Sequence, residues 1–464
     1  VDLVLSGGIR SILFGAPPGL ARPVRGWCVR PRDEAECTQD AAPWPPGRSA
    51  GAVPDAQYAE HSLETWEDAV RSAHRARAAD GAPGLVADAP AARDHARDVT
   101  GRPDVPGSTG PGDLATRVED GVAAVRLLLV DDAGRRRTRA RDLAVEHAAL
   151  WRTLGEQLGG GRLMRPRLAV AAYLGLGGTD LAAVTPVAAA QEMLHTAMLV
   201  HDDVLDHDDT RRGRPNVTGT ARRRLAARGV AGAAAEDPVL AAGLLGGDLA
   251  IAAAFDLVAS APVPAEILLR VVRQLAQAVD TTVAGELLDV TGALHGPTAV
   301  DALRVAELKT SVYSCCAPLS AGAVLAGADD GVLGVLERFG TAFGVAFQLL
   351  DDELGVFGDP AVTGKSVLSD LREGKRTELL RLAYLRADAA QRAVLDGAVG
   401  RADLTEDDAA RVRAVLRESG ALHEARLVRA DAVRTARRAA EDGLPEPLAT
   451  YLTALVDATA GVAA

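Results

Sequence analysis

The sequence predicts an all-α protein, and three observations carry that prediction. Alanine supplies much of an apolar content of 48%, and alanine is the best helix former. From Gly112 onward, long Ala/Leu/Val-rich segments alternate with short Gly, Pro or Asp breaks, as in an antiparallel helix bundle. Strand signals are scarce along the whole chain.

Residues 1–112 stand apart. They hold 13 of the 24 prolines and three of the four tryptophans, with few sustained periodic runs. Stretches such as "APWPPGRSAGAVP" read as a Pro/Gly/Ala-rich, low-complexity and disordered extension, interrupted by a short helix over 62–79. Residues 113–464 read as one all-α domain. Its expected helices are Asp113–Leu129, Leu143–Leu158, Leu168–Leu174, Thr185–Asp206, Pro238–Ser260 and Pro264–Thr291. Val300–Leu325, Gly331–Leu354, Leu379–Ala387, Glu406–Ser419, Glu424–Gly443 and Pro447–Ala460 follow. The longest apolar run, Val239–Ala261, contains Asp248 and Asp256, which are costly in lipid, so it reads as a core helix and not a membrane span.

A net charge of −12 argues against a nucleic-acid binder. Of four cysteines, Cys28, Cys37, Cys315 and Cys316, none is spaced for a metal, and the adjacent pair reads as buried thiols in a reduced, cytoplasmic compartment. Only three of 51 basic residues are lysine: Lys309, Lys365 and Lys375. A chain that uses arginine for generic positive charge keeps lysine where a compact point charge matters.

Two acidic clusters carry the chemistry. In "LVHDDVLDHDDTRRGRP", five aspartates occupy eight positions. Two carboxylates about 4 Å apart repel by about 4 kcal/mol at an effective dielectric near 20, so something must offset them. Asp202, Asp203 and Asp206 lie three and four apart on a helix face and are expected to converge on one point, a set of hard oxygens suited to Mg²⁺. Asp208 and Asp209 are expected to orient Arg211 and Arg212 or to cap the turn. About 150 residues later, Asp351 and Asp352 end a second apolar helix and are expected to face the first cluster across a cavity. Two acidic walls suit a diphosphate held by bridging metals, with Arg162, Arg165, Arg167, Arg211, Arg212 and the three lysines as further cations.

At these motifs the chain resembles the trans-type isoprenyl (polyprenyl) diphosphate synthases, and geranylgeranyl diphosphate synthases most of all. "GGGRLMRP", "EMLHTAMLVHDDVLDHDDTRRGRP", "GELLD", "KT" at Lys309–Thr310 and "FQLLDDELGVFGDPAVTGKSVLSDLREGKRT" occur in the family's order. The resemblance implies an isoprenoid synthase-type helix bundle around a deep central cavity, as a homodimer. It implies condensation of isopentenyl diphosphate with an allylic diphosphate, using several Mg²⁺ ions. Carried over, Asp202, Asp203, Asp206, Asp351 and Asp352 would be metal ligands. Arg211, Lys309, Thr310, Lys365 and Lys375 would bind the allylic diphosphate, and Arg162, Arg165, His195 and Arg212 would bind isopentenyl diphosphate. Asp202, Asp203, Lys309, Thr310 and Gln348 would serve the reacting centre.

The chain departs from the pattern in three places. Arg162 replaces a lysine, Glu286 the glutamine of the mid-chain motif, and Gly355 the last aspartate of the second cluster, for which Asp359 could compensate. Small Ala197 and flexible Met198, one turn before Asp202, are expected to set product length, longer than farnesyl and geranylgeranyl by preference. Two rival readings are a class I terpene cyclase, which would carry an Asn, Ser/Thr and Glu motif in place of the second cluster, and a non-catalytic subunit of a heteromeric synthase.

Overall fold

The computed structural model describes residues 111–158, 161–292, 294–359 and 367–461. The expected extension, its helix over 62–79, Cys28, Cys37 and Lys365 lie outside these residues. Among the described residues the alanine-rich runs form helices and the breaks separate them. Helices α1 (Pro111–Arg141), α2 (Val145–Leu158), α3 (Met164–Gly175) and α4 (Leu181–Leu205) lead to the first acidic cluster. A short antiparallel hairpin follows, β1 (Thr210–Arg211) against β2 (Arg214–Pro215). Next come α5 (Val217–Ala226), α6 (Ala233–Ala259), α7 (Ala265–Gly292) and α8 (Ala302–Val305). A π-helical stretch, Ala306–Cys316, runs directly into α9 (Ala317–Leu325). Helix α10 (Asp330–Phe357) carries the second cluster, and α11 (Ser369–Glu373), α12 (Glu378–Arg386), α13 (Ala389–Ala398), α14 (Glu406–Glu418), α15 (Ala421–Gly443) and α16 (Glu446–Gly461) complete the chain.

The all-α expectation holds, and three differences from the expected elements have local causes. Helix α1 continues past Leu129 because its charged second half is laced by pairs one turn apart, such as Arg136 Nε to Asp132 Oδ2 at 2.6 Å. The hairpin turns on Arg212 and Gly213, at φ 53° and 70°, the pattern of the two-residue turn that matches strand twist. The expected helix over 300–325 is continuous but changes hand-hold. Its middle widens to i→i+5 bonding, a device often found at functional sites.

Close backbone approach fixes that stretch. A Cβ at Gly285 of α7 would sit 2.4 Å from the Lys309 nitrogen, and one at Gly344 of α10 would sit 2.6 Å from Ser311 Cα. Residues 309–311 are therefore clamped between two long helices. Helix α4 lies along α6, where a Cβ at Gly247 would meet the His201 ring at 2.0 Å. His201 Nε2 lies 3.2 Å from the Leu244 carbonyl, a contact that ties α4 to α6. By length and composition alone, α6 and α10 are each apolar enough to cross a membrane. Here both are bundle helices, α6 along α4 and α10 against α15 and the π-helical stretch. The main core spans α1–α4, α6, α7, α9, α10 and α16, and a second cluster around Leu371, Leu379, Leu404 and Leu416 underlies the segment after the second acidic pair. Both Cys315 and Cys316 are free thiols; Cys315 is buried as expected, whereas Cys316 is only half-buried.

Candidate active site

The last turn of α4 delivers the first acidic cluster, and the hairpin folds back over it. Arg211 reaches inward: its Nε donates to Asp203 Oδ1 at 2.8 Å and its Nη2 to Asp202 Oδ2 at 3.2 Å. Arg212, in the turn, goes to the other side, where its guanidinium lies against Gly161; a Cβ there would be 3.1 Å from Arg212 Nη1. The hairpin thus divides two consecutive arginines between two subsites. Asp209 does not orient either of them. Its carboxylate accepts from Arg222 Nε of α5 at 2.8 Å, while the Asp208 carbonyl accepts from Asn216 and Thr218. The short helix α5, which presents Arg222, is what the sequence reading lacked.

Lys309 joins the first cluster to the mid-chain motif. Its ammonium lies 3.3 Å from Asp202, 3.0 Å from Glu286 and 2.8 Å from Asp289. Burial opposes its charge, but the three carboxylates more than offset this and raise its pKa. Glu286 therefore accepts from Lys309 and pairs with its charge. From the adjacent Thr310, Oγ1 donates to Gln348 Oε1 at 2.9 Å, and Gln348 Nε2 donates to Asp352 Oδ1 at 2.8 Å. Lys375 Nζ stands 3.9 Å from the same Asp352 oxygen. A polar path, carried from Lys309 to Thr310 by the chain itself, therefore runs from Asp202 to Lys375, past a cavity of about 50 Å³ lined by Lys309, Thr310, Gln348, Asp352 and Lys375.

Basic residues gather one turn and more before the first cluster. Arg165 donates to Ser314 Oγ at 2.6 Å and to Tyr313 OH at 3.2 Å, and its guanidinium stacks 4.8 Å from the Tyr313 ring. His195 Nδ1 is 3.4 Å from the same hydroxyl. Burial, then Arg165, Arg212 and Arg211, push the His195 pKa well down, so its ring is neutral. Arg126 of α1 reaches the Gly161 carbonyl at 3.5 Å, and Glu192, buried one turn before His195, feels Arg165, Arg212 and Arg126.

Residues 149–416 match the model of the polyprenyl synthetase family. The chain belongs to this family. A geranylgeranyl diphosphate synthase of Mycobacterium tuberculosis is 34% identical over 302 residues, which cover 64% of this chain and 79% of that one. A geranylfarnesyl diphosphate synthase of Aeropyrum pernix is 34% identical over 268 residues, covering 57% and 77%. A crystal structure of geranylgeranyl pyrophosphate synthase from Corynebacterium glutamicum, complexed with isoprenyl diphosphate and magnesium, superimposes with a TM-score of 0.69 at 30% identity, covering 74% of this chain and 99% of that one. The chain is accordingly a polyprenyl diphosphate synthase and a trans-prenyltransferase, of a family that depends on Mg²⁺.

The residues of this synthase fit that ion in company with a diphosphate. Among the described residues no three His, Cys, Asp or Glu side chains converge closely enough to hold a metal alone. The expected convergence of Asp202, Asp203 and Asp206 is thus not met. Arg211 holds the first two, and Asp206 is the exposed cap after the last turn. Yet Asp203 Oδ2 is buried with no hydrogen-bond partner, a hard donor left over. Mg²⁺ characteristically takes one or two carboxylates and completes its shell with water and phosphate.

The same burial gives a pH signature. Burial pushes the carboxyls of Asp203 and Asp352 up to about 6, against the pull of Arg211 on one and Lys375 on the other. A carboxyl whose pKa rises on folding holds its proton more tightly in the folded chain, so stability falls as pH climbs from about 4 through about 6. In Mg²⁺-free buffer the protein is expected to melt at higher temperature near about pH 5 than near about pH 7.5, and Asp203→Asn to flatten the difference. Melting curves of both proteins across that range, with an unchanged slope in the variant as the contrary result, check it.

Of the expected site residues, Asp202, Asp203, Arg211, Lys309, Thr310, Gln348, Asp352 and Lys375 are joined by the contacts above. Arg165, His195 and Arg212 form the basic side, and Arg162 lies in the short loop that precedes α3. Asp351 adjoins Asp352, and Ala197 is fully buried in the core beside partly buried Met198. Sequence reasoning passed over Arg126, Tyr313 and Ser314.

Proposed function

We propose that this synthase condenses isopentenyl diphosphate head to tail with an allylic diphosphate and releases geranylgeranyl diphosphate, acting as a cytoplasmic homodimer. The polar path from Asp202 through Lys309, Thr310, Gln348 and Asp352 to Lys375 carries the reading, because it brings both acidic walls and their cations to one place. Asp202, Asp203 and Asp206 on one wall and Asp351 and Asp352 on the other would hold several Mg²⁺ ions on the allylic diphosphate. Bound there, the metal neutralises the diphosphate oxygens and makes the group easier to expel.

The chain's own groups do the rest. Arg211, Lys309, Lys365 and Lys375 bind the departing diphosphate and stabilise the charge it gains. Arg162, Arg165, Arg212 and neutral His195 hold isopentenyl diphosphate with its double bond toward the allylic carbon, His195 by a hydrogen bond and the arginines by charge. Thr310 and Gln348 present oxygen dipoles to the developing carbocation, and their mutual hydrogen bond keeps both in place. The double bond attacks the cation, and the proton then lost goes to the diphosphate just released. The exposed apolar side chains of Leu240, Leu244 and Leu245 on α6 and Val283, Leu287 and Leu288 on α7 support the dimer.

Product length rests on volume below the carboxylates. Ala197 is small and Met198 flexible at the positions along α4 where an aromatic ring would end a tunnel. Purified protein given Mg²⁺, isopentenyl diphosphate and farnesyl diphosphate is expected to make geranylgeranyl diphosphate, read by chromatography of the dephosphorylated product. A cyclic hydrocarbon from the allylic diphosphate alone, or no product, contradicts the proposal. Ala197→Phe is expected to shift the product from geranylgeranyl to farnesyl when dimethylallyl diphosphate is the primer. Unchanged chain length removes Ala197 from the tunnel floor.

A further inference from the structure

We infer that Asp370 supplies to the second acidic cluster the carboxylate that Gly355 lacks. The inference rests on the reading of that cluster as a wall of the metal and diphosphate site. Position 355 lies four residues after Asp351 and three after Asp352, on the face of α10 that both share. Its missing side chain leaves space, and that space is filled. A Cβ on Gly355 would lie 2.1 Å from Asp370 Oδ2 and 2.9 Å from its Cγ. A carboxylate from another segment thus stands where the side chain of residue 355 would begin.

Asp370 is held there by its neighbours. Leu371 is fully buried in the second core cluster, and its carbonyl accepts from the Gly400 N–H at 2.8 Å. Gly374, at φ +66°, ends α11 and turns the chain back, so that the Lys375 N–H donates to the Asp370 carbonyl at 3.1 Å. One tight turn therefore presents Asp370 and Lys375 to the same place. Burial opposes the Lys375 charge, and Asp352, Asp370 and Asp351, in that order, offset it and raise its pKa. Glu373, from the same turn, feels Asp370 and, more weakly, Asp208 and Asp202 of the opposite cluster. Asp359, the compensating residue that the sequence offers, is exposed two positions beyond the end of α10.

The arrangement predicts an exchange of positions. Calorimetric titration of Mg²⁺ into the full chain with saturating inorganic diphosphate reads the site without turnover. Asp370→Ala is expected to weaken Mg²⁺ uptake by about tenfold or more. The double variant Gly355→Asp/Asp370→Ala is expected to return to within about threefold of the starting protein, because the two positions share one space. Binding of isopentenyl diphosphate alone, expected to be unchanged in both variants, shows that each is folded. Asp370→Ala that takes up Mg²⁺ like the starting protein overturns the inference, and so does a double variant no better than the single one. If the starting protein takes up no Mg²⁺ with diphosphate, the reading of the acidic walls fails, and the inference with it.

Discussion

Asp203→Asn is expected to lower kcat/KM by about 10³-fold while leaving the ligand-free protein as stable as before or more so. Asp203 is fully buried, and both nitrogens that Arg211 extends toward it, Nε at 2.8 Å and Nη2 at 2.7 Å, end on Oδ1. Its other oxygen is buried with no hydrogen-bond partner. Asparagine keeps the shape and the oxygen that faces Arg211. It removes a buried charge that burial already drives toward protonation, so the folded chain is relieved of a penalty. What it cannot do is ligate Mg²⁺ through an amide nitrogen. Stability and activity should therefore move in opposite directions, which loss of folding cannot mimic. Asp209→Asn is the control. That carboxylate pairs with Arg222 away from the site, and its removal should leave kcat/KM within about threefold. Initial rates at saturating Mg²⁺ and melting curves for the two variants read the contrast. An Asp203→Asn enzyme within about tenfold of the starting rate would remove Asp203 from the reacting centre.

That contrast also separates what the sequence made legible from what it did not. Asp202, Asp203 and Asp352 were legible from the family's ordered motifs, whereas helix periodicity added only a convergence with Asp206 that is not met. The partner of Asp209 was not legible, because it lies on a ten-residue helix whose amphipathic pattern is brief and rich in arginine. The hairpin escaped for a similar reason. Strands of two residues carry no alternation to read, and "RRGRP" lacks the Asn-Gly or Asp-Gly of the commonest tight turn. The π-helical stretch has no periodic signature at all, since it is imposed by Gly285 and Gly344 drawing α7 and α10 onto it. Arg126 reaches the basic side by tertiary packing, from a helix the local pattern gave no cause to join to it, and Asp370, although inside the last quoted motif, meets Gly355 only through the fold. The three lysines were the best use of composition alone. Of the two within the described residues, Lys309 and Lys375, both stand among carboxylates at the candidate site.

Lys309→Ala is expected to be the most damaging change outside the aspartates, with activity down about 10²- to 10³-fold and stability down by about 2 kcal/mol near neutral pH. Its ammonium lies within 3.3 Å of Asp202, 3.0 Å of Glu286 and 2.8 Å of Asp289, and each of the four side chains is less than one quarter exposed. Removing the cation leaves three carboxylates facing one point. Breaking a fully buried pair costs about 3–5 kcal/mol, and partial solvent contact here reduces that figure. The carboxylates can relieve the strain by taking up protons, so the stability loss should shrink as pH falls toward about 5. Adding Glu286→Gln removes one of the three charges and should restore part of the melting temperature. It should not restore activity, because no cation then faces the leaving diphosphate from this side. Lys309→Arg tests why lysine was kept. A planar guanidinium cannot meet three carboxylates from two helices, Asp202 on α4 and Glu286 and Asp289 on α7, as a compact ammonium does, so this variant should remain well below the starting rate despite its charge. Lys309→Ala that melts with the starting protein near about pH 8, or Lys309→Arg with full activity, would show that the position needs only positive charge in the neighbourhood and not the point contact at Asp202, Glu286 and Asp289.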